Sequence, residues 1–476
     1  MDSRGVALHS MPMAQGANDT ISLAELERRA LQLESEQRLV EARAAFEAAL
    51  RLNPASQFSV EGRARMAIHL REEGALEHCR RALAYHESDP ELQLQMIATA
   101  AGELGHAVVP LLESHLGRYP EDVAAHELLA DLRAQAGEGE GSTDSYLVAL
   151  SQHPESLPLL KSYWSILSRS GRHADALRSM DANRAKIEGN RDFAMLEVAI
   201  AGHAGQIDRS GRLLETLDNR PDAQMARGLH RLQSNQPHDA VKYLSTVIVG
   251  QPDNLEAWAL LELAWRITSD HRHEWLLGQP RLWGPLQLEL SAPQLKEIAV
   301  FLRGLHHAKA HPIGQSLRGG TQTSGQLFLR NEPEITLLIE SLAASIRQFV
   351  GNLPPADPLH PLLKYRDSAM AFGPSWSVRF TGSGHHAAHF HPGGVLSSAC
   401  YISVPETIAD VEDKPGWLEI GRPPAELGLN LPPLATIEPK PGRLVLFPSF
   451  LFHGTRPFAG GERLTVAFDL VPVSTN

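Results

Sequence analysis

The sequence has few cysteines, no long apolar run and no excess of basic residues. Only Cys79 and Cys400 occur among 476 residues, which excludes a disulfide framework and a cysteine-based zinc site. No stretch reaches the roughly 18 uninterrupted apolar residues that a membrane-spanning helix needs. Lys and Arg number 44 against 56 Asp and Glu, a net charge of −12, so we expect neither nucleic acid nor membrane as a partner. The composition, 43% hydrophobic and 21% charged, is typical of a globular chain with more than one domain.

The first twenty residues lack the apolar core of a signal peptide. We expect residues 1–20 to be a disordered lead-in, and we expect the protein to be cytoplasmic.

Residues 21–270 are rich in Ala, Leu, Arg and Glu at helical spacing, and prolines punctuate them at a near-regular interval. The spacing is close to the 34-residue tetratricopeptide period, with one gap about twice as long in which Gly189-Asn190 supplies a turn. Each proline is interpreted as the start of a helical hairpin, which predicts six or seven hairpins. These prolines are Pro54, Pro90, Pro120, Pro154, Pro221 and Pro252.

Small and large residues repeat at fixed offsets before several of these prolines. Small residues allow two helices to approach, while the large residue fills the gap between them. The region therefore resembles a tetratricopeptide array, which implies a groove for peptide or protein partners; an irregular helical bundle is the alternative. The three sets are Ala42, Phe46 and Ala49; Ser142, Tyr146 and Ala149; and Ala240, Leu244 and Val247.

The pattern changes in residues 271–476. A junction over 274–305 and a loop over 311–328 precede an amphipathic helix over 333–350. Short alternating strands follow, which predicts a sandwich or jelly-roll barrel, the double-stranded β-helix. The fold class is therefore α+β multidomain, an all-α array followed by a β-domain. The strands are predicted at 376–381, 397–404, 417–420, 435–438, 443–447 and 464–471.

Histidines cluster in the segment GHHAAHFHPGG, which contains His385 and His386 as well as His389 and His391. On an extended chain residues two apart share a face, so His389 and His391 can both point into the barrel. His453 follows a later apolar strand, and the final strand carries Arg463 with Thr465 two residues on. Non-haem Fe(II) oxygenases hold iron through two ligands close together and a third on a distant strand. An arginine with a nearby hydroxyl suits the far carboxylate of a 2-oxoglutarate co-substrate.

Other interpretations of these residues stay open at this stage. His385 and His386 are expected to have no direct metal role, and a histidine-rich tract can bind metal adventitiously. Arg463 alone could pair with an acid such as Glu462 or Asp469 on the surface.

The stretch WSVRF…HFHPGGVLSSACYISVP…GRLVLFPSFLFHGTRPF…ERLTVAFDL, with SLRGGTQTSGQLF upstream, resembles a bacterial family of 2-oxoglutarate/Fe(II)-dependent oxygenases. That family is related to prolyl and aspartyl/asparaginyl hydroxylases and often carries tetratricopeptide repeats. The resemblance covers roughly a third of the chain. It implies that His389 and His453 are the histidine ligands of Fe(II), that His391 replaces the usual carboxylate, and that Arg463 anchors 2-oxoglutarate.

The histidine in the carboxylate position leaves the ligand set open. Iron could be held by three histidines, by two with water in the third place, or with another acid such as Glu419; chloride in the open position would indicate halogenase-type chemistry. The leading hypothesis is a dioxygenase that hydroxylates a protein, peptide or small-molecule C–H bond. One rival is a tetratricopeptide scaffold with a degenerate or sensory cupin-like barrel. Another is a cupin-type metal enzyme without 2-oxoglutarate, which leaves Arg463 without a task.

Overall fold

The computed structural model describes residues 21–409 and 412–473; the expected disordered lead-in, 1–20, lies outside them. The chain divides into two compact units, one ending at Leu104 and the other beginning at Gly105. The limits predicted at residues 20 and 270 stay predictions. Among the described residues, no helix is both long enough and apolar enough to cross a membrane, and the cytoplasmic location stays a prediction.

The first unit consists of helices that each pack against the next in the sequence. Phe46 is fully buried, as are Ala42 and Ala49, so the predicted small–large–small pattern does line the helix contacts. The helices are α1 (Leu23–Ser35), α2 (Leu39–Leu52), α3 (Gln57–His69), α4 (Ala75–Leu83) and α5 (Pro90–Leu104).

The second unit continues the helix pairs and then adds a β-domain. Tyr146 and Leu244, the large members of the other two repeat patterns, are also fully buried. The helices are α6 (Val109–Arg118), α7 (Val123–Gln135), α8 (Asp144–Gln152), α9 (Leu157–Arg169), α10 (His173–Ala182), α11 (Arg184–Ile187), α12 (Arg191–His203), α13 (Ile207–Thr216), α14 (Pro221–Gln233), α15 (Pro237–Gly250), α16 (Leu255–Thr268), α17 (Arg272–Leu277), α18 (Ala292–Arg303) and α19 (Pro333–Gly351).

The prolines do mark the boundaries between helix pairs. The sequence predicts that each proline begins a helix, but most of them lie about three residues before the helix begins. Pro90 and Pro221 occupy the first helical position. The other four lie in the turn before a helix, which then begins after a polar residue such as Asp122 or Asn254, whose side chain accepts a backbone N–H of the first turn. Asn190 caps α12 in the same way, which confirms the turn predicted without a proline.

Gly62 on α3 lies against the Phe46 ring of α2, and an added Cβ at Gly62 would come within 2.2 Å of that ring. We expect Gly62→Ala to lower the free energy of unfolding by about 1–3 kcal/mol, because Phe46 must leave a packed position. Gly102→Ala on α5 is the matched control, since nothing lies within 4 Å of its added Cβ and alanine favours a helix. Urea denaturation checks both variants; an unchanged midpoint for Gly62→Ala would contradict the expectation.

The β-domain contains two antiparallel sheets, which confirms the predicted fold class. The larger sheet has the order β1-β8-β5-β10-β4-β2, with β3 also on β4, and the smaller has the order β7-β6-β9. The strands are β1 (Gly284–Gln287), β2 (Leu317–Arg318), β3 (Thr321–Gln322), β4 (Met370–His386), β5 (Leu396–Ser403), β6 (Leu418–Ile420), β7 (Ala435–Ile437), β8 (Arg443–Pro448), β9 (His453–Thr455) and β10 (Phe458–Pro472).

Two segments outside the predicted strands also join the larger sheet. The junction supplies β1, which pairs with β8, and the predicted loop over 311–328 supplies β2 and β3, which pair with β4. These strands have two to four residues, which is too short for an alternating pattern to be recognised in the sequence. The main core joins helices α14–α19 to this sheet, for example through Trp265, Leu302 and Leu446.

Candidate functional site

Three histidines meet where the two sheets approach each other. His389 and His391 lie in the turn between β4 and β5, and His453 begins β9. His389 and His453 exchange both backbone hydrogen bonds, at 3.0 and 2.8 Å. The His391 N–H donates to the Ser449 carbonyl at 2.9 Å. The turn is therefore fixed to the segment before β9, and it presents both of its histidines to His453.

His389, His391 and His453 each contribute one ring nitrogen to a group whose members all lie within 4.8 Å of one another. The Nε2 atoms of His389 and His391 are 3.2 Å apart, and the ring centroids of His389 and His453 are 4.2 Å apart. The predicted set is thus brought together, with no carboxylate in this group of described residues.

The Nδ1 atom of each of the three histidines has a hydrogen-bond acceptor. His389 donates to the Ala387 carbonyl at 2.9 Å and His453 to the Leu451 carbonyl at 3.0 Å. His391 donates to a carboxylate oxygen of Asp469 at 2.6 Å. Because these oxygens only accept, each Nδ1 carries a proton, and in a neutral ring the Nε2 then presents a lone pair. Three converging lone pairs with oriented outer nitrogens suit a metal ion.

Burial keeps two of these imidazoles neutral. It lowers the pKa of His389 to about 3, with the neighbouring His391 acting in the same direction. Burial is also the main cause that lowers the pKa of His453 well below its usual value. Neutral imidazole is the form that binds a metal.

Arg463 is a buried cation on β10, with only 1% of its surface exposed. Its guanidinium lies against the rings of Phe380 and Phe458, with centroids at 4.7 and 4.8 Å. It donates to the Gly416 carbonyl at 2.9 Å and to Thr455 Oγ1 at 3.3 Å. Its Nε atom has no partner in the described part of the chain. Burial lowers its pKa to about 10, so the side chain stays charged at neutral pH.

The alternative of a surface ion pair for Arg463 is wrong. Glu462 instead accepts from Arg303 and Arg379, each at 2.7 Å, and Asp469 binds His391. An unpaired buried charge is unfavourable unless a counter-ion compensates it. Arg463 therefore fits a site for an anionic ligand.

A cavity of about 570 Å³ contains the three histidines, Arg463 and Thr465. Tyr401, which faces Thr465 across the β5–β10 pair, also lines it, and the Tyr401 hydroxyl is buried without a partner among the described residues. Burial raises the pKa of Tyr401 to about 12, so the hydroxyl remains a donor. The donor set of Arg463 and Tyr401 fits a carboxylate, and the apolar walls include Leu317 and Trp376.

The remaining candidates lie outside the cluster of three. His386 lines the cavity, but its Nδ1 is hydrogen-bonded to Ser316 Oγ at 3.0 Å. Glu419 pairs with Arg422 and Arg456. The residues that sequence reasoning missed are Tyr401 and Asp469. The sequence places Tyr401 on a predicted strand of the same domain as the Arg463 strand, which is the one signal that points to it. For Asp469 the sequence predicts only a possible surface contact with Arg463, whereas the structure places it against His391.

Comparison with known proteins agrees with these observations for one part of the chain. Residues 374–469 match the model of the family described as "Putative 2OG-Fe(II) oxygenase". No curated protein is similar to the chain in sequence.

Several solved structures are similar, all at low identity. A prolyl-4-hydroxylase from Pseudomonas putida is 16% identical with a TM-score of 0.30, covering 40% of this chain and 94% of that one. A tetratricopeptide repeat protein from Parabacteroides merdae is 16% identical with a TM-score of 0.29, covering 51% and 98%. HygX from Streptomyces hygroscopicus, with nickel and 2-oxoglutarate bound, is 12% identical with a TM-score of 0.27, covering 40% and 83%. The predicted resemblance is confirmed: the segment from 374 to 469, with the three histidines and Arg463, matches the 2OG-Fe(II) oxygenase family.

Proposed function

We propose that the protein is a 2-oxoglutarate- and Fe(II)-dependent dioxygenase that hydroxylates a C–H bond. The observation that carries this proposal is the shared cavity, in which three imidazole lone pairs and an uncompensated buried arginine face the same space. A metal with an anionic chelating co-substrate satisfies both features at once.

One set of residues would bind the metal and another would bind the co-substrate. His389, His391 and His453 would hold Fe(II), and Arg463 with Tyr401 would bind the far carboxylate of 2-oxoglutarate, with Thr465 as a further hydroxyl on the same wall. The bound group supplies the oxidation: O₂, 2-oxoglutarate and a substrate C–H yield the alcohol, succinate and CO₂. The Phe380 and Phe458 rings orient the guanidinium, and the apolar walls limit the access of water.

A peptide or protein is the substrate class that the helical region favours. One loop connects that region with the cavity wall. Ile313 is buried in the core of α7–α12, its N–H donates to Asp131 at 2.7 Å, and its carbonyl accepts from Arg169 at 3.2 Å. The next residues, 314–318, line the cavity. The repeats would therefore present a polypeptide segment close to the cavity.

Succinate formation tests the proposal. Purified full-length protein, stripped of metal, is expected to convert 2-oxoglutarate to succinate slowly even without a substrate when ascorbate supplies the two electrons that reduce the second oxygen atom to water, and only when Fe(II), O₂ and 2-oxoglutarate are all present. Omission of each component is the control. If no succinate forms and no Fe(II) is retained, the scaffold with a degenerate barrel is the better description.

A further inference from the structure

Asp469 is a buried carboxylate on β10, with 5% of its surface exposed. One of its oxygens accepts from His391 Nδ1 at 2.6 Å and from Ser397 Oγ at 2.7 Å. The Ser397 hydroxyl has one proton, so it accepts in turn from Ser449 Oγ at 2.9 Å. The carboxylate is thus held in a fixed position against one histidine of the cluster.

Asp469 differs from the other buried acids in its partner. The described residues contain four buried acidic side chains, Glu197, Glu262, Glu419 and Asp469. The first three each contact an arginine, whereas the described partner of Asp469 that can carry a positive charge is His391, which is uncharged as a metal ligand. A buried carboxylate without a cation is unfavourable. A cation bound on the far side of the His391 ring would compensate it.

His391, the histidine that Asp469 contacts, differs from the other two in its hydrogen-bond acceptor. His389 and His453 donate to backbone carbonyls, which are neutral, and only His391 of the three donates to a charged group. His391 occupies the position where the family resemblance places a carboxylate ligand. The charge that this ligand would carry is therefore present, but it lies beyond the imidazole.

The net charge of the metal site depends on whether one of its ligands is a carboxylate. Fe(II) and doubly charged 2-oxoglutarate cancel, so a site with one carboxylate ligand carries a single negative charge, and a site with three neutral histidines carries none. The carboxylate of Asp469 restores that negative charge. A carboxylate bonded to the outer nitrogen of a ligand histidine fixes its tautomer and raises its basicity.

We propose that Asp469 is a positioning residue that acts through His391 and supplies the negative charge missing from the metal-ligand set. The inference rests on the proposed function, because it requires a metal at the three histidines.

The test compares metal binding by the full-length protein and by Asp469→Asn, which keeps the shape and a hydrogen-bond acceptor but removes the charge. The dissociation constant of Mn²⁺ is measured without O₂ on metal-free protein. Wild-type protein is expected to bind, and Asp469→Asn is expected to bind about 10- to 100-fold more weakly. With Fe(II) and 2-oxoglutarate bound, the metal-to-ligand charge-transfer band of Asp469→Asn is expected to lie at higher energy than that of the wild type, because the metal in the variant is less electron-rich.

Glu419→Gln is the matched control. It removes a buried negative charge from β6, the strand that pairs with β9, but Glu419 has arginine partners. We expect its Mn²⁺ affinity to equal that of the wild type. Equal affinity of Asp469→Asn and the wild type would overturn the inference while leaving the proposed function intact. An equal loss in both variants would overturn it too. If the wild type binds no metal, the proposed function and the inference both fail.

A second pair of variants tests the route through His391 and keeps the test decisive if Asp469→Asn does not fold. His391→Asp places the charge in the ligand itself, beside Asp469. In that background the asparagine substitution removes a repulsion between acids, so H391D/D469N is expected to bind Mn²⁺ at least as tightly as H391D. Weaker binding by the double variant would show that Asp469 acts independently of His391 and would overturn the inference.

Discussion

His453→Ala is expected to abolish Fe(II) binding and 2-oxoglutarate turnover together. The histidine supplies one of three ring nitrogens that lie within 4.8 Å of one another, and the described group has no carboxylate to take its place. Loss of an outer-shell partner alone costs about 10- to 100-fold in metal affinity, so loss of a ligand should exceed about 100-fold. Mn²⁺ titration and iron content after anaerobic loading measure the effect.

His385→Ala is the control for this variant. His385 belongs to the same histidine-rich tract, but it lies outside the group of three. We expect its metal affinity to stay within about twofold of the wild type, as is usual for substitutions away from a specific feature. If His385→Ala lost as much affinity as His453→Ala, metal binding would be a property of the tract and the proposed site would be wrong.

Arg463→Gln is expected to weaken 2-oxoglutarate binding with little effect on the metal. Removal of one member of a buried charge pair costs about 2–5 kcal/mol, or roughly 30- to 4,000-fold in the dissociation constant. Since the guanidinium is not part of the histidine group, the Mn²⁺ affinity should be retained. Anaerobic 2-oxoglutarate titration of the Mn²⁺-loaded protein provides the measurement, and the retained metal affinity shows that the variant is folded.

Arg379→Gln is the matched control, because Arg379 pairs with Glu462 and does not line the cavity in the described part of the chain. Its 2-oxoglutarate affinity is expected to equal that of the wild type. Unchanged 2-oxoglutarate affinity and turnover in Arg463→Gln would favour a cupin-type metal enzyme that does not use 2-oxoglutarate.

The sequence was sufficient to predict the elements whose patterns are local. The repeat offsets around Phe46 and Leu244 reflect contacts between adjacent helices, and both residues are buried as expected. The long strands were predictable from short runs of strand-forming residues between turn residues, although β5 and β8 are buried along nearly their whole length. The two-residue strands β2 and β3 carry no such pattern, so their pairing with β4 could not be recognised.

The parts of the site that depend on contacts between distant strands could not be predicted from the sequence. His391 and Asp469 are 78 residues apart, and only the three-dimensional arrangement of the turn and β10 shows that they meet. The alternating faces of β10 explain why Arg463 is buried whereas Glu462 pairs with Arg303 and Arg379. The sequence shows that side chains alternate between the two faces of a strand, but it does not show which other element packs against each face.

Because Ile313 packs among the helical repeats, we expect that residues 271–476 cannot be produced as a separate folded fragment. A fragment that starts after the helical repeats would expose this apolar side chain and would separate its N–H and carbonyl from Asp131 and Arg169. The adjoining cavity wall, residues 314–318, would lose its support. Recombination that exchanges the repeats for another helical module would also remove the residues that receive Ile313, so the two regions are expected to be inherited together.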